Sequence, residues 1–312
     1  MARPRLQAFA AEYEAAQRKL SGRQDDQSSI HYPTVFLFVG DSVAETVVPM
    51  MEANAVRWDN HAGVIYYEIA GHGEEAALTA DGRQDAAGMT AGMMRTVLRG
   101  VGEAAAGDKK TARQAVWQAF HSNPDCLRQL NRALRQISDR IADYGRLYHS
   151  FDRLHMAVVT RVDDPLNVLA PELTLLARTI FQQLFKSVQL DLYTLIQERD
   201  QDEGYGYAGA AGIGFLRELS GMQQPDYRYE AELLVTGDGL AIPVSHGPAP
   251  LFDLVYMLSD RDERGLSVPG GLEDNAALIG AILLLKNRKP RPEDGEGAAM
   301  RADSYNNASF RS

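Results

Sequence analysis

The chain has 312 residues, 45% of them hydrophobic and 24% charged, with a formal net charge of −10; this is enough apolar material for one large domain or two small ones. The acidic balance excludes a broad nucleic-acid surface, which needs clustered Lys and Arg to neutralise phosphates, and the one basic cluster, Lys286 to Arg291, is short and broken by proline. A single cysteine, Cys126, excludes an internal disulfide and a Cys-cluster metal site and fits a reducing compartment, with the thiol expected to be partly buried and inert.

Residues 4–20 read as an amphipathic helix, an arm expected to pack on this chain or on a neighbour, followed by a polar linker, Ser21 to Ser29. The N-terminus is charged throughout and lacks the apolar stretch of a signal peptide, and no apolar run approaches the roughly 20 residues needed to cross a bilayer. A cytoplasmic location is therefore expected.

Thr34 to Val39 (TVFLFV) is a β-branched and aromatic run that passes through Gly40-Asp41-Ser42 into a helical pattern, Val43 to Ala55. Strand, turn and helix in this order open a nucleotide-binding α/β domain, where glycine turns let backbone N–H groups approach a phosphate at a helix N-terminus. Here one glycine stands in the turn. Gly40 supplies the turn and Ser42 is a good N-cap, but Asp41 puts a negative charge where an anionic phosphate would sit.

Gly63 to Ile69 (GVIYYEI) reads as a second strand, followed by a glycine-dotted acidic loop through Asp81. Residues 84–150 show helical spacing only, over Met89 to Val101, Thr111 to His121 and Asp125 to Tyr148, with Leu127, Leu130, Leu134, Ile137 and Ile141 forming one core-packing stripe. The second half alternates: strand Met156 to Val162, helix Pro165 to Phe185 with a possible break at Pro171, strand Val188 to Ile196, helix Ala208 to Ser220, strands Tyr229 to Val235 and Phe252 to Leu258, helix Glu273 to Leu285. Strands separated by helices of this length imply parallel pairing and right-handed crossovers. The expected organisation is an arm and linker over 1–32, an α/β domain over 33–285 with a mainly parallel sheet flanked by helices and a helical insertion at 84–150, and a flexible C-terminal segment over 286–312. The end, Ser304-Tyr305-Asn306-Asn307 onward, reads as a chain about to continue.

Two segments carry a resemblance. Leu251 to Leu266 (LFDLVYMLSDRDERGL), followed by the helix with Leu278-Ile279-Gly280-Ala281-Ile282-Leu283, and Tyr205 to Leu219 (YGYAGAAGIGFLREL) resemble the corresponding segments of the bacterial tubulin-like (FtsZ/tubulin-related) family. The resemblance implies that family's nucleotide-binding-domain topology over roughly residues 33–312, and GTP with Mg²⁺ as ligands. It also implies a glycine-rich loop after the first strand and a Gly-Gly-Thr-Gly-type loop after the fourth. By element order these fall at Val39 to Thr46 and at Thr160 to Ala170, and the second contains no glycine. Asp163 and Asp164 stand where backbone amides would cradle a triphosphate. The adjacent carboxylates are a candidate Mg²⁺ pair, or an N-cap and turn before Pro165.

Three readings of function follow. The first is a degenerate tubulin-like assembly protein, forming a homo-oligomer or scaffolding a protein complex, with little or no GTPase activity and no cofactor. The second retains GTP and Mg²⁺ through Gly40, Asp41, Ser42, Asp163, Asp164 and Asn167. The third follows from Phe38-Val39-Gly40-Asp41-Ser42, which resembles the first block of GDSL-type serine hydrolases; it takes Ser42 as nucleophile with Asp152 and His155 of Asp152-Arg153-Leu154-His155, although no Gly-x-Asn-Asp block supplies an oxyanion hole.

Two weaker patterns remain. Gly204-Tyr205-Gly206-Tyr207-Ala208-Gly209 is a literal G-x-G-x-x-G, but the charged run Glu198 to Glu203 separates it from its strand, so a close-packed helix explains it more simply. His61 and His72, and His149 and His155, lack helical i, i+4 spacing and a completing carboxylate, so packed or surface histidines are expected rather than a metal site.

Overall fold

The computed structural model describes residues 32–58, 63–76, 92–148, 153–197, 205–236, 239–262, 264–266, 268 and 270–287. The expected arm over 4–20, the C-terminal segment beyond Asn287, Asp152, His61, His149 and Gly204 lie outside the described residues.

Six strands pair in parallel in the order β3-β2-β1-β4-β5-β8: β1 (Thr34–Val39), β2 (Val64–Ala70), β3 (Met93–Val97), β4 (Arg153–Arg161), β5 (Ser187–Ile196) and β8 (Leu254–Ser259). The central strands are buried on both faces, which is why they read as continuous apolar runs. The α/β class with a parallel sheet flanked by helices is therefore as the strand and helix alternation predicts. A separate antiparallel hairpin, β6 (Tyr229–Leu234) and β7 (Ala241–His246), packs Leu233 and Val244 into the core.

Side-chain alternation divides the core in two. Val35, Leu37 and Val39 of β1 point to one face, where α3 (Ala112–His121), α4 (Pro124–Tyr148), α5 (Ala170–Phe181) and α6 (Tyr205–Met222) cover the sheet. The α4 stripe Leu127, Leu130, Leu134, Ile137 and Ile141 is buried there as its spacing predicts. Phe36 and Phe38 point to the other face, against α1 (Ala44–Arg57) and α7 (Gly271–Lys286). Phe36 stacks on Tyr66 at 5.1 Å and lies 6.2 Å from Trp58; each such ring buried contributes about 1.5–3 kcal/mol. Asn54 of α1 donates to the Tyr66 hydroxyl at 2.9 Å, and Gly280 of α7 is so close that a Cβ there would lie 2.1 Å from the Asn54 amide oxygen.

The structure corrects the expectation of helix over Met89 to Val101. Residues 93–97 form β3, pairing Tyr66 with Met93 through Ala70 with Val97, and only the short α2 (Val101–Ala105) follows. A short apolar run suits either period, and the free edge of β2 decided it. The segment 84–150 is thus not wholly helical, because it supplies a sheet strand. The expected helix from Pro165 divides into a 3-10 turn, Pro165–Leu169, and α5, and the division falls beside Pro171, which stands in the first turn of α5. Strand β7 went unanticipated, although Gly237-Asp238-Gly239 between two β-prone runs is a hairpin signal. No helix among the described residues is long and apolar enough to cross a membrane.

Candidate functional site

Strand order reverses between β1 and β4, and the connections from these strands lead to opposite faces, α1 on one and α5 on the other. The C-terminal ends of β1 and β4 therefore border the crevice where doubly wound sheets bind ligands. Gly40, Asp41 and Ser42 follow β1, and Asp163, Asp164 and Asn167 follow β4. The structure brings these six residues together.

Gly40 adopts φ 114° and ψ 162°, a region nearly confined to glycine. Its N–H donates to the Ile69 carbonyl at 3.0 Å. A Cβ on Gly40 would lie 2.4 Å from the Asp164 carboxyl carbon, so the glycine is needed to admit a carboxylate rather than an external phosphate. Asp164 is 1% exposed. Its Oδ2 accepts the Ser42 backbone N–H at 2.8 Å, and its Oδ1 accepts the Leu166 N–H at 2.9 Å as the N-cap of the 3-10 turn. Burial raises its pKa; hydrogen bonds from Ser42 and Leu166 oppose that, while Asp41 adds to it.

Asp41 serves the neighbouring loop. Its Oδ1 accepts the N–H groups of Gly71 at 2.7 Å and His72 at 3.1 Å, and His72 Nδ1 donates to its Oδ2 at 2.8 Å. Gly71 in turn meets the start of α2, where a Cβ on Gly102 would lie 2.1 Å from the Gly71 carbonyl oxygen. The loops after β1, β2 and β3 are thus interlocked by one carboxylate and two glycines.

The remaining acids and amides are also engaged. Asp163 receives a two-pronged hydrogen bond from Arg161, at 3.0 Å from Nε and 2.7 Å from Nη2. Asn167 is fully buried and donates to the Arg161 and Val162 carbonyls at 2.9 and 3.0 Å, while its Oδ1 accepts from Arg113. Arg113 also pairs with Glu218 of α6. Burial lowers its pKa, and Glu218 opposes that shift. On β2, Glu68 is buried beside Arg95 at 3.3 Å; burial raises its pKa against the pull of that arginine. Sequence reasoning missed Arg113, Glu218, Gly71, Gly102 and the Glu68–Arg95 pair. The one signal for them was Gly71-His72-Gly73 directly after a strand.

Tested against GTP and Mg²⁺, these residues do not fit. The N–H group of Ser42 at the turn after β1 already serves a carboxylate, and Asp163 is paired with Arg161. Among the described residues no group of three His, Cys, Asp or Glu is placed to hold a metal ion.

The hydrolase triad is not assembled. Thr34 pairs with His155 and Val39 with Thr160, so His155 lies about 16 Å below the end of β1 that carries Ser42. His155 is buried at the opposite end of the sheet, where its Nε2 donates to Asp191 at 2.8 Å. Lys286 contributes to the same Asp191 oxygen. The glycines of the G-x-G-x-x-G pattern do not form a phosphate loop, since Gly206 and Gly209 fall within α6 itself.

No protein-family model, no curated protein and no solved structure matches the chain.

Proposed function

We propose that this protein is a degenerate tubulin-like assembly protein, which self-associates or scaffolds a complex and has little or no GTPase activity. One observation carries the reading: the Asp164 carboxylate sits in the turn between Gly40 and Ser42 and takes the N–H that a phosphate would need. The carboxyl already fills that turn, and displacing it would leave a buried acid without its hydrogen bonds. Support for the tubulin-like part comes from the segments at 205–219 and 251–285 and from the strand order, which follows the 3-2-1-4-5-6 pattern of doubly wound nucleotide-binding sheets. Head-to-tail stacking of such a domain is a heterologous contact, which yields open filaments where the rotation does not close.

The test is a thermal melt with and without millimolar GTP, ATP and Mg²⁺, with light scattering and negative-stain imaging of the same samples. The reading expects an unchanged Tm with polymers or larger complexes present without nucleotide. A ligand bound only by the folded state must raise Tm. A nucleotide-induced rise would instead favour the second reading, an active GTP-binding member, for which the switch-point crevice is the supporting observation. Monomer alone from dilute to concentrated solution would overturn the assembly reading.

A further inference from the structure

Glu172 is a buried acid without a full set of partners. It stands in the first turn of α5 and is 2% exposed, and the N-terminus of a helix favours the ionised form of such a residue. Its Oε1 accepts the indole N–H of Trp117 at 3.1 Å. Its Oε2 is buried and accepts no hydrogen bond among the described residues. No lysine or arginine among those residues pairs with it, and its one ion-pair contact is His121 Nε2, 3.7 Å from Oε1. A carboxylate taken out of water is ordinarily paired and hydrogen-bonded at both oxygens. His121 does not complete the set. Its Nδ1 lies 2.9 Å from the Trp117 carbonyl, which accepts only, so Nδ1 carries the proton of the neutral ring. Nε2 is then a lone pair turned toward Oε1. Two acceptors face one another, and a donor that reaches both would satisfy them.

We propose that Glu172, with Trp117, His121, Tyr227 and Tyr229 around it, is a binding site for a primary ammonium group, carried by a small amine or by a lysine side chain. The surroundings suit a cation. Trp117 and His121 stand one turn apart on α3 with ring centroids 4.1 Å apart. Tyr227 and Tyr229, at the start of the hairpin, lie beside the same acid, with the Tyr229 hydroxyl turned toward it; burial first, and then the Glu172 charge, raise both phenols, Tyr227 to about 12. Aromatic rings attract an ammonium and pack on the methylenes beside it. Trp117 is 44% exposed, which makes it the wall nearest to solvent, while the carboxylate forms the floor. Donor chemistry selects the class of ligand. An arginine fork needs both oxygens of a carboxylate, and here Oε1 already serves Trp117. An ammonium nitrogen donates separately to Oε2 and to His121 Nε2. A metal ion is not suited, since no group of three His, Cys, Asp or Glu gathers among the described residues. The site lies between α3, α5 and the hairpin, apart from the turns after β1 and β4, so it stands independently of the assembly reading.

The experiment is calorimetric titration of the full chain at about pH 8, where an ordinary imidazole is neutral and an alkylamine is charged. The probes are methylammonium chloride and Nα-acetyl-lysine N-methylamide, against sodium chloride at matched ionic strength. Tryptophan emission reports the site in the same samples, because Trp58, the other tryptophan, is buried. Saturable binding with a change in emission is expected for at least one amine and not for sodium chloride. Glu172→Gln is expected to weaken it by about tenfold or more, the loss of a hydrogen bond to a charged group. Trp117→Ala, at a partly exposed position, is a second variant that keeps the test open if Glu172→Gln does not fold, and it should weaken binding by about threefold or more. Glu230→Gln on the outer face of the hairpin is expected to bind as the parent does. Tighter binding of the lysine derivative would assign the amine to a partner protein, and tighter binding of methylammonium to a free small molecule. No saturable response to either amine would overturn the proposal, as would undiminished affinity in Glu172→Gln or in Trp117→Ala.

Discussion

The carboxylate of Asp164 accepts the backbone N–H of Ser42 at 2.8 Å across 122 residues of sequence. That bond joins the turn after β1 to the turn after β4 and places a buried carboxyl group of the protein's own at the switch point of the sheet. Replacing Asp164 by Ala leaves the Ser42 and Leu166 N–H groups without acceptors. Loss of the cap and of the long-range bond is expected to destabilise the fold by about 1–3 kcal/mol, measured by urea unfolding.

Gly40→Ala is expected to be at least as damaging. The new Cβ would have to occupy φ 114° and lie 2.4 Å from the Asp164 carboxyl carbon. Strain of this kind costs about 1–3 kcal/mol before any steric displacement. The check is a double-mutant cycle with Asp164→Ala, which should recover the steric part and leave the backbone part.

Gly280→Ala tests which of two opposed effects wins. In an exposed helix interior the change would stabilise by about 1 kcal/mol. Here the Cβ would come within 2.1 Å of the amide oxygen of Asn54, whose Nδ2 donates to the Tyr66 hydroxyl. Overpacking of about 1–3 kcal/mol is expected to dominate, giving a net fall in Tm; pairing it with Asn54→Ala should reverse the sign.

Asp191 sets an acid limb of stability. Burial by itself would raise its pKa, but the His155 hydrogen bond and charge, with Lys286, outweigh burial and hold it below the usual carboxylate range. A carboxyl whose folded pKa is depressed contributes stability that is complete above the unfolded value of about 3.9 and lost as pH falls through the folded value. Asp253, raised by burial, works in the opposite sense and loses its penalty on acidification. Asp191→Asn is therefore expected to flatten the acid limb. It should also lower stability near neutrality by about 3–5 kcal/mol, because His155 and Lys286 lose their charged partner. Urea titrations from pH 3 to pH 7 on both proteins check this.

Much of the fold is legible in the residues. TVFLFV, buried at every position, reads as a central strand because parallel strands need apolar side chains on both faces. The α4 stripe reads as a helix because its apolar residues recur on one face over many turns. Met93 to Val97 does not, since five residues of mixed character suit two periods and β2 made the choice. The candidate site was half legible. Gly40, Asp41, Ser42, Asp163, Asp164 and Asn167 are identified by element order alone, but their roles are not, because each role depends on a partner distant in sequence. His155 shows the converse: its spacing from Asp152 suggested a triad with Ser42, and strand register placed it at the far end of the sheet.

By itself, then, the sequence determined the class of the fold, the alternation of its strands and helices and the absence of glycines from the turn after β4, since these rest on local periodicity and composition. Only the tertiary structure decided that Asp164 reaches back to Ser42, that Asp41 holds Gly71 and His72, and that His155 serves Asp191. Hydrogen bonds between distant segments depend on strand order and register, which no local pattern encodes.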